Sequence, residues 1–315
     1  MYNFCTLFDS NYLTRGLAMY ESLKKYSDDF YLYIFAFDDK SYELLINLNL
    51  DFVTVISLNE FENKELLKVK ELRTAGEYCW TCTPSTIKYC IEKYSLDACT
   101  YLDADLYFFS DPAILIDEMG DKSVMITEHR YTPRYDQSAF SGKYCVQFMT
   151  FKNNENGMQV LNWWQDACID WCYARLEDGK FGDQKYLDDW MSRFDGIHEL
   201  QNLGGGLAPW NIQQYNLRID KHFDLIFYHF HGYKVLENER VEMGSYILDL
   251  NDINILYKPY TKHLQIITQS LRKIDAVTDY NGVMTHKPLR LKQILSRIKR
   301  TIVGNYNIVS NKELL

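Results

Sequence analysis

The sequence predicts an α/β domain, a mostly parallel sheet with helices on both faces, followed by a helical basic tail. Three observations carry this. Apolar runs of strand length alternate with segments of helical period through the first 100 residues. The runs are continuously apolar, as parallel strands covered on both faces require. Acidic or polar turns stand where three of the strands end, and in open α/β sheets those carboxyl ends converge on one crevice.

Residues 3–8 (NFCTLF) read as the first strand, followed by the turn Asp9-Ser10-Asn11-Tyr12 and a helix marked by Leu13, Leu17, Tyr20 and Leu23. Residues 31–37 (YLYIFAF) form a second strand ending at Asp38-Asp39, a helical pattern covers 41–48, and residues 52–56 give a third strand. Thr83-Pro84 has the form of a helix start, an N-cap residue and then proline, and this helix, to about residue 94, feeds a strand that ends at Asp103. Residues 146–151 read as a strand, 159–175 as a long helix, and 185–194 as a helix entered through Phe181-Gly182-Asp183-Gln184. Gly204-Gly205-Gly206 breaks the backbone before Ala208-Pro209-Trp210-Asn211; residues 223–230 (FDLIFYHF) are β-like and 262–274 helical.

Composition narrows the function. With 47% hydrophobic and 24% charged residues, 15 Gly and 6 Pro, the chain has no room for a long disordered or collagenous segment. A net charge of −9 excludes a general nucleic-acid binder, which needs a basic surface to displace counterions. The charge is unevenly spread. Lys287, Arg290, Lys292, Arg297, Lys299 and Arg300 stand together without an acid, so the tail contributes +6 and residues 1–286 carry −15 of the total of −9. Leu291, Ile294, Leu295, Ile298 and Ile302 share one helical stripe there, a pattern that suits residues 287–303 to an anionic membrane surface or to packing on the acidic domain itself.

No signal-peptide pattern and no apolar run of the ~18 residues a span needs are visible, so a cytoplasmic protein is expected. Its eight cysteines then read as reduced, buried hydrophobes; Cys79-Trp80-Thr81-Cys82 has metal or redox spacing but no second pair at finger spacing. The aromatic share of 15% reads first as core filling and second as stacking pockets for rings or sugars.

The chemistry begins at Thr100-Tyr101-Leu102-Asp103-Ala104-Asp105, where two carboxylates fall two residues apart in an apolar run. On a continuing strand they would share a face about 7 Å apart and repel by roughly 2 to 3 kcal/mol at an effective dielectric of ~20. A cation must offset this. Two carboxylates hold a hard divalent ion only loosely, and the second apolar strand ends in His229-Phe230-His231-Gly232-Tyr233-Lys234, which offers a third ligand from His229 or His231. Lys234 beside them suits a phosphate. A metal on two aspartates and a histidine, next to a lysine, is a device for gripping a diphosphate leaving group.

With Thr6-Leu7-Phe8-Asp9-Ser10-Asn11-Tyr12 before them and Gly182-Asp183-Gln184 between them, these motifs resemble, in their order, the GT-A (Rossmann-like) glycosyltransferases, in particular the glycogenin-like and lipopolysaccharide-galactosyltransferase-like branch and bacterial nucleotide-diphospho-sugar transferases. The resemblance covers residues 1–265, leaving 266–315 as a helical, basic amphipathic extension. It implies a nucleoside held by Leu7, Asp9, Asn11 and Tyr12, and Mn2+ or Mg2+ on Asp103, Asp105 and His229, with Asp103 also near the ribose. Gly232 and Lys234 match the phosphate-binding end of an HxxGxxK pattern, although here the lysine follows the glycine by two positions instead of three. Asp183 and Gln184 would lie beside the transferred sugar and the acceptor; Asp183 also suits the cap of the helix that follows. Residues 204–211 would wall the sugar or acceptor, with Trp210 as a stacking platform or a buried support, and Arg73 and Glu128-His129-Arg130 are further pocket residues.

The implied activity is transfer of a hexosyl unit, with retention, from a nucleotide-diphosphate sugar such as a uridine diphosphate sugar to a glycan or lipid-linked acceptor. Such a role in cell-surface polysaccharide synthesis would place the protein in the cytoplasm, peripherally on the inner face of the membrane. Two rivals remain: a haloacid-dehalogenase-like phosphohydrolase, which prefers Thr or Val where Tyr107 stands, and a non-catalytic sugar-binding or membrane-adaptor protein on the same scaffold.

Overall fold

A computed structural model describes residues 1–217, 224–284 and 291–314. Seven strands form the main sheet, in the order β3-β2-β1-β4-β7-β6-β8. They are β1 (Tyr2–Phe8), β2 (Phe30–Ala36), β3 (Val53–Ser57), β4 (Ala98–Leu102), β6 (Val124–Glu128), β7 (Tyr144–Lys152) and β8 (Ile197–Glu199). The short β5 (Leu106–Phe108) pairs antiparallel with β9 (Phe227–His229), and β10 (Tyr233–Leu236), β11 (Arg240–Met243) and β12 (Ile308–Ser310) form a third sheet. In the main sheet only β7 runs against the others, pairing antiparallel with β4 and β6.

The helices of ten or more residues are α1 (Leu13–Tyr26), α2 (Asp39–Leu48), α3 (Ala75–Tyr94), α4 (Glu155–Asp170), α5 (Lys258–Ile274) and α6 (Leu291–Val303). Side chains alternate across β1, so Phe4 and Phe8 join the core under α1 and α5, while Cys5 and Leu7 join the core under α3 and α4. Both faces are therefore covered. This is why the strands read as unbroken apolar runs.

Several boundaries depart from the sequence reading. Helix α3 begins at Ala75, behind a capping box in which Thr74 and Glu77 satisfy each other's backbone N–H groups, and Pro84 lies inside it. An interior proline costs ~3 kcal/mol through its lost N–H. Here the helix continues because Thr83, Pro84 and Ile87 are buried against the sheet. The long helix predicted at 159–175 is α4, capped by Asn154 accepting from the Gly157 N–H. The helix predicted at 185–194 divides into a 3-10 turn, Lys185–Asp189, and a short helix, Trp190–Arg193. Of the β-like stretch 223–230 only Phe227–His229 is strand, and residue 223 lies outside the described residues.

Helix α5 runs through residue 265, and beyond α6 the chain returns so that β12 pairs with β11. Arg300 ties α6 to the body through Glu242, at 2.9 Å, and the Gly244 carbonyl, at 3.0 Å. Lys287 and Arg290 lie outside the described residues.

Candidate active site

Strand β4 ends at Leu102, and the chain turns at Asp103-Ala104-Asp105, where the Leu106 N–H donates to the Asp103 carbonyl at 3.2 Å. The carboxylates thus sit on a turn, not on one face of a continuing strand. The turn feeds β5, whose partner β9 sets Leu106 opposite His229. Ligand atoms of Asp103, Asp105 and His229 all lie within 4.8 Å of one another. His229 Nε2 is 3.1 Å from Asp105 Oδ1 and 3.7 Å from Asp103 Oδ2. On its other side His229 Nδ1 meets Gln147 Oε1 at 2.7 Å.

His231 falls outside this cluster. It is exposed, lies edge-on to Trp210 and His229, and is followed by Gly232, whose φ of +75° turns the chain away into β10. The carboxylates and the imidazole shift one another. Burial raises Asp103 above the usual carboxylate range, with Asp105 adding to it. Burial also works to raise Asp105, but His229 outweighs it and holds that carboxyl low. Burial alone would lower His229; the charges of Asp105 and Asp103 overcome it and hold the imidazole well above its ordinary value.

The turn after β1 is built by its own acids. Asp9 accepts from the N–H groups of Asn11 and Tyr12 at 3.0 and 3.2 Å and from Asn11 Nδ2 at 2.9 Å. Asp38, at the end of β2, accepts from Ser10 N and Oγ and from Ser41 N, fixing the turn to the neighbouring strand. Leu7 is buried in β1, whereas the Tyr12 ring is exposed and lies 4.5 Å from the Arg15 guanidinium carbon. Lys234 is exposed on β10, opposite Glu242, with its Nζ 3.9 Å from that carboxylate.

Asp183 is 5% exposed, and its carbonyl accepts from Trp164 Nε1 at 2.9 Å. Burial, and then the charge of Asp103, pushes its carboxyl up to about 8. Cys79 on α3 is pushed up by burial and then by the charges of Asp9 and Asp183. Asp183 does not cap the next turn: the preceding residue there is Gln184, which makes no side-chain cap and donates instead to the Ser141 carbonyl at 2.7 Å.

The remaining predicted residues are distributed around this centre. Trp210 is buried, donating to the His129 carbonyl at 2.9 Å and standing edge-on to His229, so it supports the histidines instead of offering an open platform. Glu128 and Arg130 line a separate cavity of about 440 Å³ with Tyr131, Asp136 and Lys143. Arg73 donates to the Ile169 carbonyl at 3.2 Å and lies over the Tyr173 ring.

Two residues that sequence reasoning missed belong to the site. Arg15, 4% exposed, donates to the carbonyls of Asn11, Tyr233 and Asn281, clamping the turn after β1 to the histidine loop, and its charge reaches Asp105. Nothing local announces it. Gln147 had a signal, a lone amide in the apolar run YCVQFMTF.

No protein-family model matches the chain. The galactosyltransferase LgtC, solved with donor and acceptor sugar analogs, matches 84% of this chain and 96% of its own with a TM-score of 0.51 at 12% identity. The apo glycosyltransferase GlyE of Streptococcus pneumoniae TIGR4 matches 87% of this chain and 63% of its own, with a TM-score of 0.50 at 12% identity. The fold is GT-A, the fold of nucleotide-sugar transferases. Within it, the chain belongs to the family of the uncharacterized protein YfnD of Bacillus subtilis (strain 168), with 32% identity over 280 residues, 84% of this chain and 89% of that protein. The uncharacterized YfnF of the same organism is 27% identical over 294 residues, 89% of this chain and 96% of its own. Among the described residues, no helix is long and apolar enough to cross a membrane.

Proposed function

We propose that this protein is a glycosyltransferase that moves a hexosyl unit, with retention, from a uridine diphosphate sugar to a glycan or lipid-linked acceptor in cell-surface polysaccharide synthesis. The observation that carries the reading is the convergence of Asp103, Asp105 and His229 where β4 ends. The donor set fits a hard divalent ion, since two carboxylate oxygens and one imidazole nitrogen suit manganese or magnesium and offer no soft sulfur. When bound there, such an ion supplies Lewis-acid stabilisation of charge developing on a diphosphate.

The chain's own residues account for the rest. Asp9 and Asn11 stiffen the turn that receives the nucleoside, and Arg15 supplies a buried positive charge close to Asp105. Lys234, exposed on β10 and 3.9 Å from the Glu242 carboxylate, is the cation for phosphate. Asp183, held protonated at neutral pH by burial, donates a hydrogen bond to a sugar hydroxyl or acceptor instead of adding a third negative charge beside Asp103. Residues 1–265 carry this chemistry and 266–315 form the extension.

The extension holds the protein at the inner face of an anionic membrane. Ile298 and Ile302 on α6 support this, being 52% and 80% exposed beside Arg297 and Lys299. Replacing both isoleucines with glutamate should abolish sedimentation with anionic vesicles; undiminished sedimentation would rule the surface out.

A thermal-shift screen of nucleotide-sugars with and without manganese tests the activity class, because a ligand selective for the folded state raises the melting temperature. A metal-dependent shift with a uridine diphosphate sugar, lost in Asp105→Asn, is the expected outcome. An equal shift in Asp105→Asn, or no shift with any nucleotide-sugar, would overturn it.

A further inference from the structure

Gln147 lies on β7, beside the end of β4, and is wholly buried. Its main-chain carbonyl accepts from the Asp103 N–H at 3.0 Å, and its side-chain Oε1 meets His229 Nδ1 at 2.7 Å. One residue therefore touches two of the three groups of the carboxylate-imidazole cluster, one through each of its carbonyls.

An amide oxygen only accepts, so the proton between Gln147 and His229 belongs to Nδ1. A proton on Nδ1 leaves Nε2 as the ring atom with a lone pair to give, and Nε2 is the atom turned toward Asp105 and Asp103. We infer that Gln147 is a positioning residue that fixes the rotation and tautomer of His229, selecting it over His231 as the third ligand. His231 is exposed and has no corresponding acceptor behind it among the described residues.

The amide is not explained by packing. A leucine or methionine would fill a similar volume in this apolar strand, whereas Nε2 of Gln147 finds no partner among the described residues, a burden of about 1 to 3 kcal/mol for a buried polar group. The space it occupies is kept by Gly206, where a Cβ would stand 3.4 Å from Nε2 and 2.8 Å from Thr127 Cγ2. The amide carries this burden with its other end on a ring nitrogen, so its one hydrogen-bonded contact among the described residues is with that ring.

The inference rests on the reading of Asp103, Asp105 and His229 as a metal site, and the test separates the two. Manganese alone is titrated into the full chain without nucleotide, with free ion followed by electron paramagnetic resonance. Gln147→Leu removes the acceptor and should weaken binding about 10- to 100-fold, the usual effect of losing a residue that orients a ligand. Gln147→Glu keeps an acceptor at the same place and should bind as tightly as wild type or tighter. Binding by Gln147→Leu within twofold of wild type, or an equal loss in both variants, would overturn the inference.

Should Gln147→Leu fail to fold, a long-range proton-nitrogen spectrum of 15N-histidine wild-type protein with magnesium decides, with His229 assigned through His229→Gln. Protonation at Nδ1 is expected; protonation at Nε2 would overturn the inference. Wild-type protein that binds no manganese, or binds it equally in Asp105→Asn, removes the metal site and the inference together. Manganese binding lost in Asp105→Asn but unchanged in Gln147→Leu removes the inference alone.

Discussion

Binding of a divalent ion should expel a proton from His229. In the metal-free protein the imidazolium is the counter-charge of the two aspartates. At an effective dielectric of ~20 its attraction to Asp105 at 3.1 Å is roughly 5 kcal/mol, and to Asp103 at 3.7 Å roughly 4 kcal/mol. Without it the two carboxylates, with ligand atoms within 4.8 Å, repel by roughly 3 kcal/mol or more. Burial opposes the charged ring, but these attractions win and the His229 value rises. A raised value means stability from this group that is fully present below the unfolded value of ~6.5 and lost as pH climbs through the folded one. An ion can take Nε2 only from neutral imidazole, so about one proton leaves per ion bound, and affinity should climb about tenfold per pH unit, or about 1.4 kcal/mol, until the His229 value is passed. Calorimetry of manganese binding at pH 7 in buffers of different ionisation heat measures this directly, because the slope of observed heat against buffer heat counts protons. A slope of zero, or affinity that is flat from pH 6 to 7.5, would refute the reasoning.

Three further outcomes follow from the same geometry. Gly204→Ala should destabilise the protein by about 3 kcal/mol or more in urea unfolding, because the new Cβ would sit 1.9 Å from the Asp224 carbonyl, beside the Gly204 carbonyl that receives the N–H groups of Ile226 and Phe227 and starts β9. It should also loosen manganese binding, since β9 carries His229. Arg15→Met should cost about 3 kcal/mol by removing hydrogen bonds to three carbonyls and the buried side chain that makes them, and Arg15→Lys should recover less than half of that, lacking the fork; a loss under about 1 kcal/mol would show that the clamp is dispensable. For Asp183 the folded value of about 8 lies far above the unfolded ~3.9, so its contribution is full below the unfolded value and is lost as pH rises toward the folded one. Metal-free wild type should therefore lose stability relative to Asp183→Asn by up to about 1.4 kcal/mol per pH unit in that window, and parallel melting curves would contradict it.

The sheet and its crevice were legible because the signal was local. Apolar runs bounded by Asp9, Asp38 and Asp103 gave β1, β2 and β4 within two residues, and the acids at their ends set the crevice. The start of α3 was not, because Thr83-Pro84 imitates a cap and only burial of that turn shows the helix continuing past it; the true cap, Thr74 with Glu77, lay nine residues earlier in unremarkable sequence. Nor could the sequence choose between His229 and His231. A period of two puts both on one face of an extended strand, and the choice falls to pairing with β5, which ends at His229, and to the turn at Gly232. Arg15 was hidden for a different reason: two of its carbonyl partners, Tyr233 and Asn281, are more than 200 residues away.

The reversed strand explains why Gln147 is available to the site. Had β7 run parallel to β4, its carboxyl end would have reached the crevice, as those of β1 and β4 do. Because it runs the other way, the stretch entering the strand lies there, with Leu102 paired to Phe148 and Asp103 bonded to Gln147 one step beyond. Strand β6, its other neighbour, ends at the same edge, with Glu128 opposite Tyr144. The edge thus collects the ends of β1, β4 and β6 and the beginning of β7, while the hairpin-like pairing of β5 with β9 carries His229 across to meet them. A strand entrance is constrained differently from a strand exit. At an exit, residues past the last ladder pair are free to turn, as Asp103-Ala104-Asp105 do, but Gln147 stays inside β7, one step past the last pair with β4 and at the register shift against β6, with its carbonyl held by the Asp103 N–H. Its side chain therefore inherits the rigidity of the sheet, and a rigid support is what a ligand orienter needs if His229 is to keep one ring position through each binding cycle.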